Sequence, residues 1–313
     1  MRRRGAWTAW RWVGALAATL VAALAPAPAR ACACGCGIFT VGTPSLFPLG
    51  TGGLAYLQFD GMDQDENWSG GSRAPGADNP DKRITTRFFT AGLHYMFDRR
   101  WGIQVAVPFW DRTFTTMDGG RTPTYHHSAI GDVRVMAVYS GFSSDMSTGV
   151  VAGVKLPTGD STYAGFDRDT EIGTGSTDVL LGAYRMGHLS ADGRWSWFGQ
   201  VNWDHPFTTR GGYRPGEEGN AALGVYVDAG GLGRVARIAP LLRLVGSHRA
   251  RDGGPAADPE NSGYTRVLLS PGVEVDLARV KLVADVGVTI SQRVNGNQLI
   301  APRQFTLTVS FGL

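Results

Sequence analysis

Cysteine is nearly missing from this chain: three in 313 residues, all between positions 32 and 36. No disulfide framework therefore staples the rest of it. Charge is scarce too, at 18% of residues, below the roughly 25% of soluble domains. The formal net charge of +3 is small and evenly spread, which argues against a nucleic-acid partner. No apolar run of about 20 residues occurs beyond position 31, so a bundle of membrane helices is excluded. Helical periodicity is almost absent, unlike a soluble enzyme of this length. No G-x-S-x-G marks a nucleophile elbow, and no G-x-x-x-x-G-K marks a phosphate loop. No enzyme class is indicated.

What is present begins with an export signal. Arg2, Arg3 and Arg4 form a basic start, Val13 to Leu24 an apolar core, and Ala29-Arg30-Ala31 an A-x-A cleavage site. Residues 1–31 thus read as a signal peptide, and export places the mature chain in an oxidising compartment. Cys32, Cys34 and Cys36 come next, in CACGCG. Three thiolates this close suit a soft metal, copper or zinc. C-x-C pairs rarely reach disulfide geometry, and an odd count leaves a thiol over. A local disulfide, an inter-chain link and a lipid on Cys32 are the other readings.

From residue 51 the pattern is regular. Candidate strands fall at 53–60, 84–97, 101–114, 128–141, 147–158, 177–188, 195–207, 218–229, 235–248, 263–277, 280–291 and 298–313. Their separators alternate between short (98–100, 142–146, 189–194, 230–234, 278–279) and long and polar (61–83, 115–127, 159–176, 208–217, 249–262, 292–297). Alternation of short turns with long loops is the plan of a bacterial outer-membrane barrel. The expected fold is an all-β, transmembrane, up-and-down antiparallel barrel of about twelve strands, with short periplasmic turns and long external loops, in the outer membrane of a Gram-negative-type bacterium. Residues 32–50 are then a lead-in, held in the periplasm or tucked into the barrel mouth.

Strand faces agree. Trp195, Trp197, Val201 and Trp203 share one face of their segment, and Ser196, Gln200, Asn202 and Asp204 the other. Val267, Leu269, Val273, Val275 and Leu277 alternate with Arg266, Ser270, Glu274 and Asp276. Apolar outside and polar inside is what lipid demands. Tyr95, Phe97 and Trp101, then Trp195 and Trp197, and at the outer end Trp110 and Phe114, are candidates for interfacial girdles. The last strand, QFTLTVSFGL, resembles the signal read by the outer-membrane assembly machinery, with Leu313 in place of the usual Phe.

Residues 147–187 carry the most specific words: GVKLPTGD, then IGTGSTDVLLGAY. These resemble the G-x-K-x-P-T-G-D … G-T-G-S-x-D signature of outer-membrane transporter-like barrels related to the meta-pathway phenol-degradation family. The resemblance covers about forty residues. It implies a transporter of hydrophobic or aromatic compounds; nothing in composition or periodicity shows that.

Side chains expected to line the lumen are Asp132, Arg134, Lys155, Asp204, Asp228, Arg243, Arg266, Glu274, Lys281 and Asp285. Both signs are mixed, so a narrow lumen requires them to pair. The six histidines show no metal-ligand spacing. The acidic loops, with Asp63, Asp65 and Glu66 in one and Asp160, Asp167, Asp169 and Glu171 in the other, are either external cation sites or simply hydrated. The expected function is a passive channel for small solutes in outer-membrane lipid. The alternatives are a metal-binding or redox-partner barrel using the cysteines, and a structural barrel without transport.

Overall fold

The computed structural model describes Phe47 and residues 50–313. The expected signal peptide, the three cysteines and nearly all of the 32–50 segment lie outside the described residues. Fifteen strands form one antiparallel sheet: β1 (Gly52–Gln64), β2 (Glu66–Gly70), β3 (Ser72–Arg73), β4 (Asp81–Met96), β5 (Trp101–Thr116), β6 (Thr124–Ile130), β7 (Val133–Tyr139), β8 (Thr148–Leu156), β9 (Thr177–His188), β10 (Trp195–Thr208), β11 (Glu218–Val227), β12 (Arg237–Arg249), β13 (Tyr264–Leu277), β14 (Val280–Ile300) and β15 (Arg303–Gly312).

The order runs β13-β12-β11-β10-β9-β8-β7-β5-β4-β1-β15-β14, and β14 pairs back onto β13. The sheet therefore closes, as a membrane requires, because an open edge would leave backbone groups unsatisfied in lipid. Counting β6 with β7 as one interrupted strand, and setting aside the β2–β3 hairpin, twelve strands form the wall. The first and last seal each other, Leu54 opposite Gly312 through Met62 opposite Gln304.

The pleat sorts the side chains. Leu57, Phe89, Val201, Leu223, Leu244, Val286 and Phe305 all point out and are exposed. So much exposed apolar surface has one stable environment, the hydrocarbon layer. Aromatic rings gather at the short-turn end of this belt, Trp101 against Tyr139 at 4.7 Å and Tyr139 against Phe142 at 5.0 Å. These are amphipathic anchors at interface height.

Three expectations are corrected. The segment 128–141 is two strands, broken at Gly131-Asp132: β6 pairs the outer half of β5, and β7 its inner half. No loop spans 292–297; β14 continues to Ile300 and carries β2 on its outer part, Ile300 opposite Glu66. The stretch 292–297 is mostly polar and reads as loop from sequence, but the strand only shifts register there, between Val294 and Asn297, and beyond it Leu299 and Ile300 are buried in apolar clusters with Ile84, Phe114 and Tyr264. Third, Trp110 and Phe114 are not girdle residues. They share the inward face of β5 with Gln104 and Arg112, and Phe114 is fully buried.

The interior is apolar at the short-turn end. Met96, Val138, Met146, Tyr184, Phe198, Val245 and Leu268 meet there around Phe47. Phe47 stacks on Tyr184 (4.9 Å, 12°) and meets Phe198 edge-on at 6.0 Å. The expectation of a polar interior holds only above this layer.

Candidate functional site

Above the Phe47 layer the lumen divides into a filled half and an open half. In the filled half, β12 to β15 and β1 interlock polar side chains. Asp60 accepts from Gln58 (2.7 Å) and from Thr306 (2.8 Å), and Arg243 donates to Asp285 (2.5 Å). Asp60, Thr308 and Ser310 are fully or almost fully buried. These charges are paired or hydrogen-bonded, which is the condition for burying them. Nearer the short turns Arg237 reaches Glu274 (2.5 Å), Asp228 (3.4 Å) and Asp276 (3.5 Å), while Lys281 reaches Glu274 (3.1 Å).

The open half, along β4 to β10 and bordered by β1 and β11, holds a cavity of about 260 Å³. Tyr56, Phe88, Pro108 and Trp110 supply an apolar side, with Phe88 and Trp110 stacked at 4.3 Å and 9° and the Arg112 guanidinium 4.9 Å over Trp110. Asp132, Arg134, Lys155, Asp178 and Asp204 supply a charged side. Lys155 pairs with Asp178 and lies 4.0 Å from Asp132; Arg134 lies 3.7 Å from Asp204. Phe47, Val138 and Tyr184 close the short-turn end.

The loop 157–176 covers the outer end, and the two words conspicuous in the sequence build it. Gly159 of P-T-G-D and Gly173 of I-G-T-G-S lie backbone to backbone: a Cβ on Gly173 would stand 2.3 Å from the Gly159 carbonyl. Gly173 N donates to the Asp160 carbonyl at 2.7 Å, fastening the two ends of the loop. Asp132, at the break between β6 and β7, accepts from Gly159 N (3.0 Å), Thr174 N (2.9 Å) and Thr174 Oγ1 (2.6 Å). Arg112 donates from the wall to the Thr170 carbonyl (2.5 Å). Arg168 sits 4.5 Å over the Tyr213 ring, and Tyr213 donates to Asp252 (2.8 Å), so the neighbouring loops are tied in. Outside, Tyr163 stacks on His127 at 3.7 Å, and its hydroxyl accepts from Ile172 N (2.7 Å).

Burial shapes the ionisation of the lid. The Tyr163 hydroxyl is pushed up to about 12, chiefly by burial. Burial also raises the Glu171 carboxyl, against the opposing hydrogen bond from Tyr163 N and the Arg168 charge. At the outer rim Asp81 is pushed up to about 8 by burial, with repulsion from Asp167 and Asp169 adding to it. Among the described residues no three His, Cys, Asp or Glu side chains converge as metal ligands. Glu66 pairs with Arg73, Asp160 with His127 (3.0 Å) and Glu171 with Arg168 (3.1 Å).

Of the ten lumen residues expected, Asp132, Arg134, Lys155 and Asp204 come together on the cavity wall. Arg243, Arg266 and Asp285 face inward but are buried in the filled half, Glu274 and Lys281 lie towards the short turns, and Asp228 stands just past β11 in the turn at 228–236. Sequence reading missed Asp178, Arg112, Phe88, Trp110 and Phe47. Strand parity carries the signal for Arg112 and Trp110, which alternate in step with Gln104 on the inward face of β5.

No family model matches this chain, and no curated protein does either. Solved structures do. An outer-membrane channel from Pseudomonas putida F1 superposes with a TM-score of 0.64 at 14% identity, covering 87% of this chain and 100% of that one. The β domain of the Bordetella autotransporter BrkA superposes at 0.53 and 13% identity, over 84% and 100%. Two such different proteins on one architecture show a fold, and function has to be argued from the site. This chain has the closed up-and-down fold of outer-membrane β-barrels.

Proposed function

We propose that the protein is a passive outer-membrane channel for small solutes, in which a solute pauses in an off-centre chamber between an external lid and an internal floor. The observation that carries this reading is the chamber itself. The other half of the same lumen is occupied by buried polar side chains, so the open half is a distinct void with its own lining. A purely structural barrel needs no such space, since twelve strands can be filled by side chains. A solved neighbour that is an outer-membrane channel supports the reading. The lining, an aromatic slab beside paired charges, suits compact solutes with an apolar body. Entry requires the loop 157–176 to lift from Asp132 and Arg112, and exit requires Phe47 to leave Tyr184. The reading assigns no catalytic role to the wall. The exposed face of β15 fits recognition during assembly into the membrane.

The test is solute flux into proteoliposomes, comparing the mature chain with a variant lacking residues 32–50. Slow flux in the first and faster flux in the second is expected. Absence of flux in both, with heat-dependent gel mobility showing folded barrels, would overturn the proposal.

A further inference from the structure

The charged wall of the chamber is not neutral. Asp132, Asp178 and Asp204 stand there against Lys155 and Arg134, three carboxylates to two cations. Asp132 is satisfied by the lid, with three hydrogen bonds from Gly159 and Thr174. Asp178 has Lys155 and accepts from Ser176 Oγ at 2.5 Å. Asp204 is different. Its Oδ2 lies 3.7 Å from Arg134, a long pairing, and its Oδ1 is buried with no hydrogen-bond donor against it. Its other neighbour is the Asp178 carboxylate, which can hydrogen-bond to it only while one of the two holds a proton, a place that an ammonium can take instead.

The remaining cations of the lining are held elsewhere: Arg112 by the Thr170 carbonyl, Arg168 by Glu171 and the Thr174 carbonyl, Arg249 by Asp252. A buried acceptor without a donor is costly until a donor arrives. Four steps round the wall from β10, on β5 and its neighbour β4, Trp110 and Phe88 offer a flat apolar face to the same chamber.

We infer that the chamber selects solutes with an aromatic body and a cationic, hydrogen-bond-donating head, an arylalkylamine, its ammonium at Asp204 and its ring against Phe88 and Trp110. The inference rests on the channel reading and adds a charge preference to it. A carboxylate of the same size brings a like charge to the excess negative one, and a bare hydrocarbon leaves Oδ1 unpaired.

Calorimetric binding to the intact purified protein tests this, with benzylamine, toluene and benzoate as probes. Benzylamine is expected to bind roughly tenfold more tightly than benzoate, as expected for a like-charge penalty in a partly desolvated site. Asp204→Asn should bring the ratio to about one, and Asp228→Asn, outside the chamber, should leave it unchanged. If Asp204→Asn does not give a heat-resistant barrel, Arg134→Met serves instead: removing the nearby cation should strengthen the preference for the amine. Benzoate binding as tightly as benzylamine, or a preference indifferent to these variants, overturns the inference. Binding and flux separate the two proposals. Selective binding without flux sinks the channel and keeps the site, while flux without preference keeps the channel and sinks the site.

Discussion

Asp132 is the residue on which the outer closure turns. It lies at the two-residue interruption between β6 and β7, where the wall has a gap in its ladder, and it uses that gap to hold the lid by three hydrogen bonds. Hydrogen bonds to a charged acceptor contribute about 1.5–3 kcal/mol each. Asp132→Ala should therefore release the loop 157–176 while leaving the wall paired, because Lys155 keeps Asp178. Limited proteolysis of the folded barrel is the check: cleavage within 157–176 is expected in the variant and not in the parent. An equally resistant variant would mean that Arg112 and Arg168 suffice to hold the lid. Sequence reading placed Asp132 in the lumen from its neighbours. It did not show that the carboxylate serves the loop, because its partners are 27 and 42 residues away.

At the scale of elements, the lid is a clasp made by two glycine-bearing ends. Gly159 and Gly173 touch through their backbones, and a methyl on Gly173 would stand 2.3 Å from a carbonyl that cannot swing aside as a side chain does. Gly173→Ala should spring the clasp, at a local cost of about 1–3 kcal/mol, the usual range for overpacking. Amide hydrogen exchange should quicken over 159–174 and stay slow in β8 and β9; an unchanged loop would show the contact to be slack. The words P-T-G-D and I-G-T-G-S are conspicuous in the sequence as polar, glycine-rich text between two strands. Their meaning needs the fold, because a close approach of two backbones leaves no trace in either strand's periodicity. The same limit explains β14. Its outer part shifts register between Val294 and Asn297 before pairing on with β2, and the polar stretch 292–297 at that shift reads as a loop by pattern alone.

Across the whole molecule, the division of the lumen is the decisive feature. Arg243 and Asp285 are buried and paired on the filled side. Removing one partner alone, as in Arg243→Met, should cost about 3–5 kcal/mol by stranding the other charge, whereas Arg243→Met with Asp285→Leu should cost far less. Unfolding in urea from lipid vesicles measures both, and flux through the double variant should match the parent because the pair does not line the chamber. A double variant with altered flux would place the permeation route on the wrong side of the barrel.

The sequence by itself determined the class, the number of wall strands and the two faces of strands such as β10 and β13. Those properties come from the period of two that lipid imposes on a wall with a wet inside, and they are local. It also determined which ends carry long loops. Only the tertiary structure decided that half the lumen is packed, that Phe47 forms the floor and that loop 157–176 folds over the chamber. These depend on which inward side chains meet across the barrel, and inward residues far apart in sequence are brought together only when the first strand closes on the last.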